Sequence, residues 1–171
     1  MRIPLVLREG SGVVAVLKPV GLATQAPPGI DSVEQWLRGR LGLDAKGYLG
    51  VPHRLDRAVS GVVLMAATPR AARKLSRQFE RREIVKTYLA VVSAVGPAAA
   101  GQVPAAGTIV WRDFLRKISE EARSEIVASS TPHAREAVTQ ASWIDCPSRG
   151  DGERLLQLCL LYTSDAADDT P

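Results

Sequence analysis

The sequence predicts one soluble domain that mixes helices and strands. Three observations indicate this fold class: short runs rich in valine, isoleucine and leucine, amphipathic segments that begin with helix-capping residues, and a hydrophobic content of 46% over 171 residues. A chain of this length and composition can bury a core. We therefore expect a single folded domain.

The N-terminal part predicts a β-hairpin and then a short helix. Residues 3–7 and 12–17 are the expected strands, with a turn over residues 8–11. Pro19 and Gly21 then end the second strand, because proline has no N–H for a ladder and glycine permits positive φ. Ser32 and Gln35 have the capping-box spacing, so a helix is predicted over residues 32–41.

The middle of the chain predicts a strand, a basic helix and a second strand. Residues 61–67 are apolar on both faces, which is typical of a strand in a sheet that is covered on two sides. Thr68 and Pro69 fit the N-cap and the first position of a helix over about residues 69–82. A strand over residues 84–92 follows, and its period of two places Lys86 and Tyr88 on the same face.

The C-terminal half predicts a connection, a helix and two strands. Residues 96–107 are rich in alanine, proline and glycine, and residues 113–127 have the charge and periodicity of a helix. Residues 137–144 and 155–160 are the expected strands, with a turn over residues 147–152 between them.

Charge and cysteine content narrow the class of protein. Residues 1–160 hold 22 basic and 15 acidic side chains, a net charge of +7, which favours a polyanionic partner. Two cysteines and two histidines lie too far apart for zinc-ligand spacing, so no metal site and a reducing compartment are expected. No uncharged run approaches the roughly 18 residues that span a bilayer, so we expect no membrane association and a cytoplasmic location.

Residues 51–61, with the sequence VPHRLDRAVSG, place one carboxylate between two arginines. Opposite charge favours the ionised form of a carboxylate, so Asp56 is available as a nucleophile or a base and is a poor acid. Taken by itself, an aspartate flanked by arginines is more often part of a structural ion pair than a catalyst.

Three stretches, taken in order, resemble the RluA-type RNA pseudouridine synthases. H-R-L-D-R-x-x-S-G followed by V-V-L-M-A, over residues 53–66, resembles the active-site motif of that family. Residues 12–22 resemble its opening strand and K-P-x-G-L turn, and residues 86–92 resemble its K-x-Y-x-A-x-V motif. A weaker match extends to about residue 160. Three motifs in the right order are specific, so the chain is identified as a member of this family.

The resemblance implies an α+β fold of the pseudouridine synthase catalytic-domain type, with a mixed, mainly antiparallel sheet and flanking helices. The implied reaction isomerises a uridine in structured RNA, either rRNA or tRNA, to pseudouridine without a cofactor or metal. A stacked uridine must leave the helix to be reached. The chain is expected to be a monomer with RNA as its partner.

The resemblance also implies roles for individual residues. Asp56 would be the catalytic nucleophile or base, Tyr88 would pack against the uracil, and Arg57 resembles the residue that replaces the extruded base in the RNA helix. Three further residues complete the candidate substrate-binding set: His53, Arg54 and Lys86.

Structural alternatives stay open for most of these residues. His53 could simply hydrogen-bond the loop backbone, Tyr88 could be a core residue, and the arginines of residues 70–82 could form a solvated helix face. Glycoside hydrolysis ordinarily uses two carboxylates, and only one lies in the motif, which favours an isomerase over a hydrolase. The alternative function is a non-catalytic RNA-binding protein that retains the synthase fold.

The end of the chain departs from the family pattern. The third motif, T-G-R-x-H-Q-I-R, contains a basic residue that pairs with the catalytic aspartate, whereas residues 161–171 read LYTSDAADDTP and contain no base. This string resembles a translated sequencing adapter. We therefore expect a catalytic domain over residues 1–160 that is incomplete at its C-terminal end, a non-native tail over residues 161–171, and weak or absent activity in this form.

Overall fold

A computed structural model describes residues 3–44, 46–93, 107–119, 121, 123–144 and 153–162. The chain divides into two compact units, Met1–Glu83 and Ile84–Pro171. The two units together are α+β, and every described strand pair is antiparallel. This confirms the α+β, mainly antiparallel fold class that the family resemblance implies. Among the described residues, no helix has the length and hydrophobicity that crossing a bilayer requires.

The first unit contains three strands and two helices. In chain order they are β1 (Leu5–Gly10), β2 (Val13–Lys18), α1 (Val33–Arg40), β3 (Gly61–Ala66) and α2 (Pro69–Glu80). The sheet order is β1-β2-β3. Both helices begin where the capping residues predicted, because Ser32 Oγ accepts from the Gln35 N–H and Thr68 Oγ1 accepts from the Ala71 N–H, each at 3.2 Å.

The hairpin turn lies later in the sequence than predicted. The register pairs Gly10 with Val13, so only Ser11 and Gly12 form the turn, with φ values of 53° and 76°. Positive φ at both positions is typical of the two-residue turn whose twist matches antiparallel strands. The prediction of a turn over residues 8–11 was wrong, because the polar residues Arg8 and Glu9 are paired in β1.

The sheet of the first unit has helices on both faces. Val14, Val16, Val63 and Met65 are fully buried in a cluster that includes residues of α1. On the other face, Ala66 packs with residues of α2. The prediction for residues 61–67 was therefore correct for the end of β3 but wrong for its start, since β3 is an edge strand and Val62 is 49% exposed.

The described residues of the second unit form a five-stranded sheet. Its strands are β4 (Lys86–Ser93), β5 (Thr108–Lys117), β6 (Ser124–Ile126), β7 (Arg135–Ile144) and β8 (Glu153–Tyr162), and their spatial order is β4-β8-β7-β5-β6. Ala141 and Leu156 are buried on one face, where Trp111 and Trp143 pack against them. The predicted strands over 84–92, 137–144 and 155–160 are confirmed with small changes of boundary.

The predicted helix over residues 113–127 was wrong, because this region forms the antiparallel pair β5 and β6. Arg116 lies directly opposite Glu125 in the register, and their side chains form an ion pair at 2.6 Å. Charged residues of this segment thus pair across two strands.

Several predictions concern parts of the chain outside the described residues. The turn over residues 147–152 lies wholly outside them, and so does the connection over 96–107 except for Gly107. Leu161 and Tyr162 belong to β8, and residues 163–171 lie outside the described part, so the non-native tail stays a prediction.

Candidate active site

Asp56 lies on an exposed turn of the loop that precedes β3. Its carbonyl oxygen accepts from the Val59 N–H at 3.0 Å, which closes a four-residue turn. The residue is exposed, and its carboxylate makes no hydrogen bond or ion pair with any residue that the structure describes. The flanking arginines therefore do not hold it in a structural ion pair, and the carboxylate faces solvent.

Thr24 fixes the residue immediately before Asp56. Its Oγ1 donates to the Leu55 carbonyl at 2.8 Å and accepts from the Leu55 N–H at 3.0 Å. One buried hydroxyl thus satisfies both backbone groups of Leu55, across 31 residues of sequence.

Gly21 fixes the residue immediately after Asp56 through a reciprocal pair of hydrogen bonds. The Gly21 N–H donates to the Arg57 carbonyl, and the Arg57 Nε–H donates to the Gly21 carbonyl, each at 2.8 Å. Gly21 has φ of 87°, a conformation that glycine adopts without strain. The predicted turn at Gly21 is confirmed, and its two hydrogen bonds to Arg57 hold the Asp56 loop in place.

Lys18 is a residue of this site that the sequence interpretation missed. It is completely buried, and its Nζ donates to the carbonyl oxygens of Leu22 at 2.7 Å, Pro19 at 3.2 Å and Arg57 at 3.4 Å. An ammonium group has three N–H donors, so these three oxygens account for all of them. Lys18 therefore joins the turn at Gly21 to the loop at Arg57.

The charges of Lys18 and Asp56 interact although they make no direct ion pair. Burial lowers the pKa of Lys18, because removal from water disfavours the charged ammonium, and the negative charge of Asp56 acts in the opposite direction. The exposed carboxylate and the buried ammonium thus lie close enough for their charges to interact.

A sequence signal for Lys18 does exist. Residues two apart on a strand share a face, so Lys18 lies on the same face as the buried residues Val14 and Val16. A lysine at a core position of a strand is unusual, because lysine is almost never fully buried without a partner. This pattern, together with the K-P-x-G-L resemblance, could have identified the residue.

The side chain of His53 makes contacts with β3 and α2. Its Nε2 accepts from the Leu64 N–H of β3 at 2.9 Å, and its ring lies against Phe79 of α2 with centroids 4.6 Å apart. An accepting Nε2 carries no proton. These contacts support the alternative that His53 positions the loop backbone.

The two arginines of the motif differ in their surroundings. The guanidinium of Arg57 is engaged with Gly21, as described above. Arg54 is exposed and makes no hydrogen bond or ion pair with a described residue. Arg54 is therefore available to an external anion, whereas Arg57 is partly committed to the loop.

Lys86 and Tyr88 lie on β4, which belongs to the second unit, whereas the Asp56 loop belongs to the first unit. The prediction that their side chains share a face of the strand is confirmed. Both are half-buried, whereas the alternate residues Thr87 and Leu89 are exposed. In the register, Lys86 lies opposite Leu160 and Tyr88 opposite Leu158.

The described residues contain no cluster of three or more histidine, cysteine, aspartate or glutamate side chains that could hold a metal ion. The loop that carries Asp56 is held by backbone groups, the Thr24 hydroxyl and the Lys18 ammonium, and it presents one exposed carboxylate. Such an arrangement is suited to proton transfer or nucleophilic attack by one carboxylate.

Comparisons with known proteins indicate which family the chain resembles. The family model for RNA pseudouridylate synthase matches residues 12–159. "Dual-specificity RNA pseudouridine synthase RluA" of Yersinia pestis is 42% identical over 91 residues, which are 52% of this chain and 42% of that protein. "tRNA pseudouridine synthase C" of Yersinia pestis is 34% identical over 143 residues, which are 79% of this chain and 51% of that protein. The chain thus spans about half the length of the curated relatives it matches.

Solved structures show the same fold. The human RNA pseudouridylate synthase domain containing 1 protein has a TM-score of 0.71 at 18% identity, with 94% of this chain and 60% of that one covered. The domain containing 4 protein has a TM-score of 0.66 at 21% identity, with 92% and 59% covered. With the family model matched over residues 12–159 and the motif order described above, this chain belongs to the RNA pseudouridylate synthase family.

Proposed function

We propose that this chain isomerises uridine to pseudouridine in structured RNA, with Asp56 as its catalytic nucleophile or base. The observation that carries the proposal is an exposed carboxylate without an ionic partner in the described structure, on a loop whose two neighbouring residues are each fixed by hydrogen bonds. A carboxylate that is held in place and left open can act on a substrate.

The chemistry requires no co-substrate. The bond from C1′ to N1 of the uracil breaks, a bond from C1′ to C5 forms, and the proton lost from C5 is balanced by the proton gained at N1. One carboxylate is sufficient for this balance, whereas hydrolysis would need a second group to activate water.

The remaining candidates have supporting roles in this proposal. Tyr88 packs against the uracil once the base leaves the stack, an interaction worth about 1–3 kcal/mol for an aromatic ring. Lys86 and Arg54 contact the RNA. Arg57, which the family resemblance associates with replacement of the extruded base, also braces the loop through Gly21. His53 positions the loop through Leu64.

The test is release of tritium from RNA that is labelled at C5 of its uridines, measured with the chain in excess over an unmodified tRNA transcript or rRNA fragment. We expect slow release and pseudouridine formation by this chain, because the basic residue of the third motif is missing, and neither by Asp56→Asn at equal RNA binding. Asp113→Asn, in β5 of the second unit, is the matched carboxylate control and should retain activity.

Two results would decide against the proposal. Turnover by Asp56→Asn at the rate of the unsubstituted chain would remove Asp56 from the mechanism. RNA binding by both proteins with no tritium release from either would instead support a non-catalytic RNA-binding protein with the synthase fold.

A further inference from the structure

Four basic residues form a row on α2 that the proposed reaction does not use. They are Arg70, Arg73, Lys74 and Arg77, and all four are exposed. The positions three and four apart in this set lie on one side of a helix, and Ala71 and Leu75 are buried on the opposite side. We call this set the α2 basic row; it extends about 10 Å along the helix axis, at 1.5 Å per residue.

The charges of the α2 basic row have no acidic partners. None of the four side chains makes a hydrogen bond or ion pair with any described residue, and the first turn of α2 contains no acid. Just beyond the helix, Arg81 lies 3.9 Å from Glu83, with both side chains at least half exposed. Like charges three and four residues apart repel, at about 0.2–0.5 kcal/mol for each pair.

Other arginines of this protein are paired with acids. In α1, Arg38 bonds to Glu34 one turn earlier at 3.2 Å. In the second unit, Arg112 pairs with Glu136 at 3.2 Å and Arg116 with Glu125 at 2.6 Å. The α2 basic row therefore differs from other described surfaces of the same chain, and its unpaired charges indicate an external anionic partner.

The α2 basic row is connected to the loop that carries Asp56. Phe79, in the last turn of α2, lies against the ring of His53, with centroids 4.6 Å apart, and His53 accepts from the Leu64 N–H of β3. Both features belong to the first unit. A polyanion bound along α2 would thus be held on the same compact unit as Asp56.

We infer that the α2 basic row is a docking surface for the phosphate backbone of the RNA substrate. This inference rests on the proposed function for the identity of the polyanion. Arginine and lysine bind phosphate oxygens, and such contacts position a nucleic acid without reading its sequence. The surface therefore contributes affinity and orientation, whereas Asp56 performs the chemistry.

The test measures the salt dependence of binding to an unmodified tRNA transcript, with Asp56→Asn present in every protein so that no turnover occurs. Each lost phosphate contact makes the slope of log K against log salt less steep by about 0.7–0.9. For Arg70→Gln with Arg77→Gln, we expect a slope less steep by about 1.4–1.8. The same arithmetic makes the loss of affinity between 50 and 200 mM salt about tenfold smaller than in the parent.

The matched control is Arg8→Gln with Lys46→Gln, which removes two exposed cations from the same unit and leaves α2 intact. Thermal unfolding serves as the folding control: the α2 double variant should be as stable as its parent or slightly more stable, because like-charge repulsion is relieved. A slope and affinity equal to those of the control variant would overturn the inference and leave the α2 basic row as a solvated helix face.

The inference and the proposed function can fail separately. If the α2 variant, with Asp56 restored, forms pseudouridine normally and has an unchanged salt slope, only the inference about the docking surface is refuted. If the α2 variant has a reduced slope but the parent chain never releases tritium, the docking surface is supported and the proposed isomerase activity is refuted.

Discussion

The buried ammonium of Lys18 donates a hydrogen bond of 3.4 Å to the carbonyl oxygen of Arg57, which follows Asp56 directly and lies 39 residues away in sequence. The same ammonium donates to Leu22 at 2.7 Å. Lys18 therefore joins two loops, and its charge interacts with the carboxylate of Asp56. In this chain it is a positioning residue of the candidate site.

Lys18→Met should reduce the rate of tritium release under single-turnover conditions by about tenfold or more, because Asp56 is then held less precisely. The affinity for RNA should change little, since Lys18 is fully buried and cannot contact RNA. The free energy of unfolding should fall by about 1–3 kcal/mol, because the Leu22 carbonyl loses its charged donor. Lys46→Met, at an exposed lysine, is the control; equal rates in the two variants would contradict the positioning role.

The lowered pKa of Lys18 predicts a pH dependence of stability. Between that lowered pKa in the folded protein and the usual 10.5 of the unfolded chain, the unfolded chain binds more protons. The contribution of Lys18 to the free energy of unfolding should therefore increase with pH in this interval and be constant below it. Urea unfolding at a series of alkaline pH values measures the difference between the parent chain and Lys18→Met, in which this increase should be absent.

Asp56→Asn should shift the same titration. The negative charge of Asp56 opposes the effect of burial, so its removal should lower the pKa of Lys18 further. NMR titration of the Lys18 side chain in the two proteins tests this. An unchanged or higher pKa in Asp56→Asn would show that the two charges do not interact as the structure indicates.

Thr24→Val should destabilise the loop before Asp56. The substitution keeps the shape but removes the hydroxyl, so the N–H and the carbonyl of Leu55 both lose their partner. We expect a loss of about 1–3 kcal/mol in the free energy of unfolding, together with slower tritium release. Thr87→Val, on the exposed face of β4, is the control and should change stability by less than about 0.5 kcal/mol.

Gly12→Ala should lower the free energy of unfolding much more than Gly10→Ala, although the two glycines lie only two residues apart in one hairpin. Gly12 has φ of 76°, and a Cβ there would lie 2.8 Å from Oγ1 of Thr68, the N-cap of α2. A Cβ at Gly10 would meet nothing within 4 Å. Thermal or urea unfolding should show a loss of about 1–3 kcal/mol for Gly12→Ala, from left-handed strain plus the clash, and little change for Gly10→Ala.

The elements that the sequence predicted correctly have strong local signals. Ser32 and Thr68 are capping residues that act within three positions of themselves, and they mark the starts of α1 and α2. The alternation from Lys86 to Ser93 likewise needs no partner strand to be recognised. Such signals can be interpreted because the interacting groups are close in sequence.

The predictions that were wrong concern segments whose secondary structure or burial depends on contacts with residues distant in sequence. Arg116 and Glu125 are nine residues apart, too far for a pair along one helix, and only the hairpin register places them opposite each other. Val62 and Val63 are equally apolar, yet one is 49% exposed and the other fully buried, because only one face of β3 is covered along its whole length.

The sequence by itself determined the family, the candidate carboxylate Asp56 and the arginines beside it, because the motif is continuous and its residue types carry the chemistry. The tertiary structure decided how Asp56 is held: by Lys18, Gly21 and Thr24, from a segment more than 30 residues earlier. The physical reason is that most of these contacts end on backbone N–H and carbonyl groups. Nearly every residue carries those groups, so only the folded chain shows which of them meet.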